Sequence, residues 1–147
     1  MNQNYLSDEL AIVGSAAMLN VDNTTAASEY IDMGKFDKVI FVVVVKDASA
    51  DTTVNAKVQS ADDGSGTNVA DITGLAITQF TAAATDKEFV IEVRADQLNV
   101  NDTHVRLLIT AGNGTVGISG GLIALGLCNQ APASDNDLST VTEIKRL

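Results

Sequence analysis

The chain has 147 residues, of which 46% are apolar, so it is long enough for one domain with a sizeable hydrophobic core. Its 19 acidic residues outnumber its 9 basic ones, which gives a formal charge of −10, and the basic residues form no cluster. Nucleic-acid binding requires such a cluster to displace counterions from phosphates, so we expect no nucleic-acid partner.

The beginning of the chain, MNQNYLSDEL, lacks the basic and apolar regions of a signal peptide. No apolar run reaches the roughly 20 residues that a membrane-spanning helix requires. We therefore expect a soluble chain made in the cytoplasm, with no membrane partner. A single cysteine, Cys128, excludes an internal disulfide and is expected to be a small core residue.

The order of patterns along the chain predicts an all-β protein. Residues 1–14 show no clean periodicity and are predicted to be an N-terminal arm, while residues 15–129 contain short runs of strand character separated by regularly spaced turn signals. Convincing amphipathic helices are missing between these runs. We therefore predict a jelly-roll-like antiparallel β-sandwich of about eight strands with terminal arms, the C-terminal one spanning residues 130–147.

The run KVIFVVVVKD (38–47) is apolar at every position between its lysines, whereas a strand with one wet face would alternate. One face of this strand can fill the core of the sandwich. The other face then needs a cover, either from a terminal arm of the same chain or from a second subunit. Its side chains form the candidate subunit interface: Ile40, Val42 and Val44.

Three later runs alternate cleanly, and in each we expect every second side chain to face the core: Val54, Ala56 and Val58; Phe89, Ile91 and Val93; Val105, Leu107 and Ile109. A further strand is predicted over 75–80, and one helical turn within 95–102. In the long run 116–127, the pair Gly120-Gly121 predicts a bulge or a close backbone approach.

Residues with catalytic or metal-binding chemistry are few. The single histidine, His104, has no nucleophile motif to serve, and one His with one Cys cannot complete a zinc site. Asp62 and Asp63 in SADDGSGTN are adjacent, a poor match to the alternating acids of a calcium loop, and Asp-Gly favours a turn. We expect no enzyme, no catalytic residue, no metal and no cofactor.

The C-terminal segment has an apolar residue at every third position after a Ser/Asp/Asn cluster that could cap a helix. A short amphipathic helix and an extended arm both fit this pattern. The stripe cannot be buried by the segment alone, so it packs on its own domain or on a neighbouring subunit. The residues of the stripe are Leu138, Val141, Ile144 and Leu147.

Several short motifs in residues 26–126 resemble a type of tailed-bacteriophage virion protein that is typically encoded beside the major capsid protein. The motifs are the aliphatic strand, a Gln-containing strand followed by DDG, a DITG linker, an ADQL stretch before HVR, and ISGGLIALG. In size and fold class the chain also resembles capsid decoration (cement) proteins, which are commonly trimeric.

The resemblance implies a homotrimer on the capsid exterior of the virion, made in the host cytoplasm, whose partner is the major capsid protein. The C-terminal stripe would then be a capsid-contacting arm, and no catalytic residue is transferred.

Three other functional hypotheses stay open at this point. The first is another virion structural component of the tail, neck or fibre, which the number of copies per virion would distinguish. The second is a carbohydrate-binding attachment module, although a chain with two Tyr, four Phe and no Trp has few rings for a sugar platform. The third is a small hydrolase with paired carboxylates.

Overall fold

The computed structural model describes residues 6–21, 23–46, 52–81, 86–112, 117–129 and 141–145. Ten strands are present over these ranges: β1 Leu10–Val21, β2 Thr25–Ala27, β3 Ile31–Asp32, β4 Phe36–Lys46, β5 Thr53–Ala61, β6 Ala70–Ala76, β7 Phe80–Thr81, β8 Lys87–Arg94, β9 His104–Gly112 and β10 Ile118–Cys128. A four-residue helix, α1 (Leu6–Glu9), precedes β1, and a 3-10 turn, Ala95–Gln97, follows β8 as the sequence predicts.

The strands form two antiparallel sheets. The first sheet has the order β1-β10-β4-β8, and the second has the order β2-β9-β5-β6, with β3 also paired to β9 and β7 to β5. The two sheets enclose a single core of buried aliphatic side chains. The predicted fold class, a jelly-roll-like antiparallel β-sandwich, is therefore confirmed. Among the described residues, no helix has the length and hydropathy needed to cross a bilayer.

The alternating runs form the strands that the sequence predicts, and the expected side chains face the core. Both β5 and β9 alternate between buried and half-buried positions along most of their length. The inner residues of β5 are all 3% exposed or less, because they pack between the sheets: Val54, Ala56 and Val58. In β8, Ile91 and Val93 are buried and Phe89 is half-buried.

Two parts of the fold differ from expectation. β1 begins at Leu10, so residues 10–14 belong to a strand that pairs with β10 in the first sheet. The sequence predicts these residues to be part of the N-terminal arm. The predicted strand 75–80 is divided between β6 and β7, because β5 changes register between Lys57 and Gln59 and pairs with two short partners.

Gly120 lies where two backbones approach closely, as the Gly-Gly pair predicts. A Cβ atom added at Gly120 would lie 1.9 Å from the backbone oxygen of Val44, on the neighbouring strand β4. No side chain larger than hydrogen fits at that distance. The adjacent Gly121 is different, since an added Cβ there would meet nothing within 4 Å.

Candidate association surface

The two faces of β4 have different environments. Val39, Phe41, Val43 and Val45 are at most 2% exposed and form the centre of the core. The alternate residues point away from the core, because side chains switch faces at each position of a strand. Of these, Ile40 and Val42 are half-buried and Val44 is 39% exposed. The three residues predicted as an interface therefore lie on the outer face of the first sheet.

Neighbouring strands extend this apolar surface on both sides of β4. Val42 is paired with Val90 of β8 and with Ile123 of β10, which are 55% and 49% exposed. Ile40 is paired with Leu125 of β10. Together these residues form one contiguous apolar surface, here called the outer patch: Ile40, Val42, Val44, Val90, Ile123 and Leu125.

Val90, Ile123 and Leu125 were not predicted as part of the surface. Val90 occupies the polar-face position of an alternating strand, between Glu88 and Glu92, and this apolar residue among acids is the one local signal of its role. Ile123 and Leu125 lie in the Gly-interrupted run 116–127. Which of its side chains point away from the core depends on how the strand pairs with both β1 and β4.

Charged side chains on the same face lie at the ends of the strands. They comprise three cations and two anions: Lys38, Lys46 and Arg94 against Glu88 and Glu92. Lys38 Nζ lies 3.6 Å from Glu92 Oε1 across the β4–β8 pair. Asp96 is ion-paired with Arg94, so this face has three cations and three anions in a chain whose formal charge is −10. Most of the excess negative charge therefore lies on other parts of the chain.

The C-terminal stripe is described only in part. Residues 141–145 have neither helix nor strand, so the short-helix alternative is wrong for these five residues. Val141 is half-buried and Ile144 is 37% exposed. Leu138 and Leu147 lie outside the described residues, and the role of the stripe as a contacting arm stays a prediction.

The segment 62–68 is a hydrogen-bonded turn, as Asp-Gly predicts. The Thr67 hydroxyl donates to Asp63 Oδ2 at 2.7 Å, and the N–H groups of Thr67 and Ser65 donate to Asp63 Oδ1 at 3.1 and 2.9 Å. These bonds, the Thr67 hydroxyl first, hold the pKa of Asp63 below its usual 3.8. Asn68 Nδ2 donates to Asp62 Oδ2 at 2.6 Å, so the two carboxylates serve different bonds in the turn.

Because its folded pKa is lowered, the ionised Asp63 stabilises the turn above the unfolded pKa of about 3.8 and loses this effect as the pH falls through the folded value. We expect Asp63→Asn to lower stability relative to the unmodified chain at about pH 6, and this deficit to shrink at about pH 3. Urea unfolding at both pH values measures it. Asp86→Asn, at the exposed residue directly before β8 of the first sheet, controls for the loss of one charge. An equal deficit of Asp63→Asn at both pH values would contradict the stabilising role of the ionised Asp63.

The polar residues around His104 are joined by structural hydrogen bonds. His104 Nδ1 lies 2.7 Å from the Thr103 hydroxyl, while the buried Ser60 hydroxyl donates to Asp102 Oδ2 at 2.5 Å. The Ser60 hydroxyl thus bonds to a carboxylate and not to the imidazole, which is not the arrangement of an activated serine. Within the described ranges, no group of three or more His, Cys, Asp or Glu side chains could hold a metal ion.

The outer face of the second sheet is polar. Lys57 and Gln59 donate to Asp71 at 2.6 and 2.8 Å, the first of which lowers the pKa of Asp71 most. Arg106 donates to Gln59 Oε1 and lies 4.7 Å from the centre of the Tyr30 ring. A shallow groove of about 330 Å³ beside this network has no aromatic residue among its described lining: Asn55, Ala56, Lys57, Ala76, Ile77, Leu108 and Thr110.

Comparison with known proteins shows no family for this chain. No family model matches the sequence, and no curated protein matches it. Three solved structures are similar in fold: the VP2 protein of infectious bursal disease virus in T=1 particles (15% identity, TM-score 0.44), family 22 carbohydrate-binding and catalytic modules of Clostridium thermocellum xylanase 10B (15%, 0.44), and a family 4 carbohydrate-binding module (14%, 0.41).

The matched lengths differ among these structures. The match covers 80% of this chain and 31% of the VP2 chain, 89% and 27% for the xylanase, and 90% and 92% for the family 4 module. The chain therefore spans less than a third of the VP2 and xylanase chains. Fold and surface together define the class of this protein as a β-sandwich module with an exposed apolar sheet face. At these identities and TM-scores, the similarity carries nothing about function.

Proposed function

We propose that this protein is a bacteriophage capsid decoration (cement) protein, which binds the outer capsid shell and stabilises it by bridging capsid subunits. The outer patch is the observation that carries the proposal. Large contiguous apolar surfaces on soluble domains mark interaction sites. Here three side chains of the surface are 39–55% exposed, and all six lie on regular, paired strands. The resemblance of the sequence to virion proteins encoded beside the major capsid protein supports the capsid as the place of interaction.

In this proposal, copies of the chain associate through the outer patch as a homotrimer. The patch suits self-association because its strand ends have nearly balanced charge, so copies meet there without bringing their acidic surfaces together. The acidic surface faces solvent or basic loops of the major capsid protein.

The trimer binds where capsid subunits meet and contacts several of them at once, so that modest individual contacts gain from multivalency. Because the protein binds the assembled shell and not its separated subunits, it stabilises the shell by mass action. The described part of the C-terminal stripe, Val141 and Ile144, is half-buried or exposed and is our candidate for contacting an adjacent capsid subunit.

The test uses capsid shells of the parent phage that lack this protein. We expect the added protein to bind at many symmetry-related positions and to raise the temperature at which shells disrupt. Electron microscopy of the decorated shells counts the copies. A few copies at one vertex or along the tail would contradict the cement proposal in favour of another virion component, and failure to bind shells at all would contradict both.

Removing residues 130–147 is expected to leave the sandwich folded and to weaken shell binding, because every described strand lies before residue 130. Loss of one of several simultaneous contacts lowers avidity, here by on the order of tenfold or more. Retention on shells after sedimentation measures this effect. The matched control is Ile144→Ser with Val141→Ser in the full chain, which should reproduce most of the loss; unaltered retention of the truncated chain would show that the arm makes no capsid contact.

A further inference from the structure

The strand β8 has a hydrogen-bonded neighbour on one side only within the described part of the chain, namely β4. It is eight residues long and regularly paired along its whole length. The other edge of such a strand presents backbone N–H and C=O groups that can pair with a further strand. β8 is therefore a candidate for joining the first sheet to another chain.

The charges of β8 are arranged in a way that suits pairing. Charged side chains, especially lysine, commonly keep edge strands from associating, and β8 begins with Lys87. Its outer face has Glu88 and Glu92 together with Arg94, so an antiparallel second copy can place opposite charges against each other. Arg94 forms an ion pair with Asp96, whereas Glu88 forms no hydrogen bond or ion pair with another described residue. Its carboxylate is available to a partner.

We propose that β8 pairs antiparallel with β8 of a second copy about a two-fold axis at Ile91. Residues directly opposite each other then lie on the same face of the joined sheet. On the outer face, Glu88 lies opposite Arg94 of the second copy, and the symmetry gives this ion pair twice. On the inner face, Ile91 lies opposite its own copy, and Phe89 lies opposite Val93, so apolar residues meet across the core-facing side.

The charges select this register over its neighbours. An axis at Val90 would place Glu88 opposite Glu92 of the second copy, twice, and an axis at Glu92 would place Glu92 opposite itself. Like charges directly opposite destabilise a strand pair, while opposite charges stabilise it. An axis at an intermediate position would place inner residues opposite outer ones, which the pleat forbids. An axis at Val93 would also place opposite charges together, Glu92 against Arg94, but β8 ends at Arg94, so only residues 92–94 of each copy would pair. The axis at Ile91 combines opposite charges with pairing over residues 88–94 of both copies.

This edge contact rests on the proposed self-association but uses the backbone edge of β8 and not the outer patch. It joins two four-stranded sheets into one continuous sheet and places two outer patches side by side. A two-fold edge contact combined with a three-fold contact through the patch gives a larger assembly than either contact alone, with six copies where the two axes meet at right angles.

Charge reversal tests the edge contact. Glu88→Arg and Arg94→Glu each place like charges opposite one another in both symmetric pairs, so each should weaken the two-fold association by on the order of tenfold. The double variant exchanges the two charges and should restore the association to within about threefold. Sedimentation equilibrium measures the dissociation constants. Glu29→Arg, at an exposed residue between β2 and β3 of the second sheet, controls for the change in net charge of Glu88→Arg.

Restoration by the double variant, together with slowed amide hydrogen exchange in β8 of the unmodified assembly, would support the edge contact. Single reversals without effect, or a double variant as weak as the singles, would overturn it. If the reversals have no effect while an aspartate in the outer patch disperses the assembly, the edge contact is wrong and the patch contact stands. Binding to capsid shells is read separately and decides the proposed function.

Discussion

Val44→Asp is expected to break the association through the outer patch and to leave a folded protein no larger than the two-fold dimer joined through β8. Val44 is 39% exposed on the outer patch and points away from the core, so the monomer should lose no more than about 1 kcal/mol, as for other exposed strand positions. In the assembly the new carboxylate would be buried without a partner. That burial costs several kcal/mol, so association should weaken by on the order of a hundredfold or more.

Ile123→Asp should have the same effect from the neighbouring strand, since Ile123 is 49% exposed on the same patch. Val100→Asp is the matched control, because Val100 is fully exposed in the turn after the 3-10 helix, away from both sheets' faces. Light scattering after gel filtration gives the mass, and urea unfolding gives the stability. An unchanged mass for both patch variants would show that the patch is not an interface.

Gly120→Ala is expected to destabilise the fold by about 3 kcal/mol, in the upper range for overpacking a closely packed site. The reason is local, because the added methyl group would lie 1.9 Å from the Val44 carbonyl oxygen and would force β4 and β10 apart. Relaxation of one flexible side chain cannot relieve a contact with backbone. The free energy of unfolding in urea measures the loss.

Gly121→Ala provides the control for Gly120, since the two glycines are adjacent on the same strand and an added Cβ at Gly121 meets nothing within 4 Å. Its stability should stay within about 1 kcal/mol of the unmodified chain. Equal losses for both substitutions would show that strand propensity, and not the close approach of β4, makes glycine necessary here.

The core-facing half of the fold could be predicted from sequence because it depends on local alternation. A strand that buries one face must place apolar residues at every second position, and the runs around Val58, Ile91 and Leu107 do so without interruption. The run at 38–46 was informative for the opposite reason: its lack of alternation places apolar residues on both faces of β4.

The start of β1 could not be predicted in the same way. Its pairing with β10 shifts between Ile12 and Gly14, and a shift of one residue exchanges the inner and outer faces. Small residues then follow, from Gly14 to Ala17, so little hydrophobic contrast remains between the two faces. A bulge in a strand of small residues removes the periodicity on which sequence prediction depends.

The outer patch could be predicted only at its centre. Its other members lie on β8 and β10, and they meet β4 because strands distant in the sequence are adjacent in the order β10-β4-β8. Such pairing depends on the packing of the whole domain and not on any local pattern. The balanced charges at the strand ends follow from the same pairing, which places Lys38 beside Glu92.

Sedimentation equilibrium of the unmodified chain over a wide range of concentrations tests most directly whether the outer patch holds copies of the chain together. We expect a reversible multimer that dissociates on dilution, with slowed exchange of the β4 and β10 amides in the associated state. A single species of 15.3 kDa at every concentration, with those amides exchanging at unchanged rates, would contradict the account.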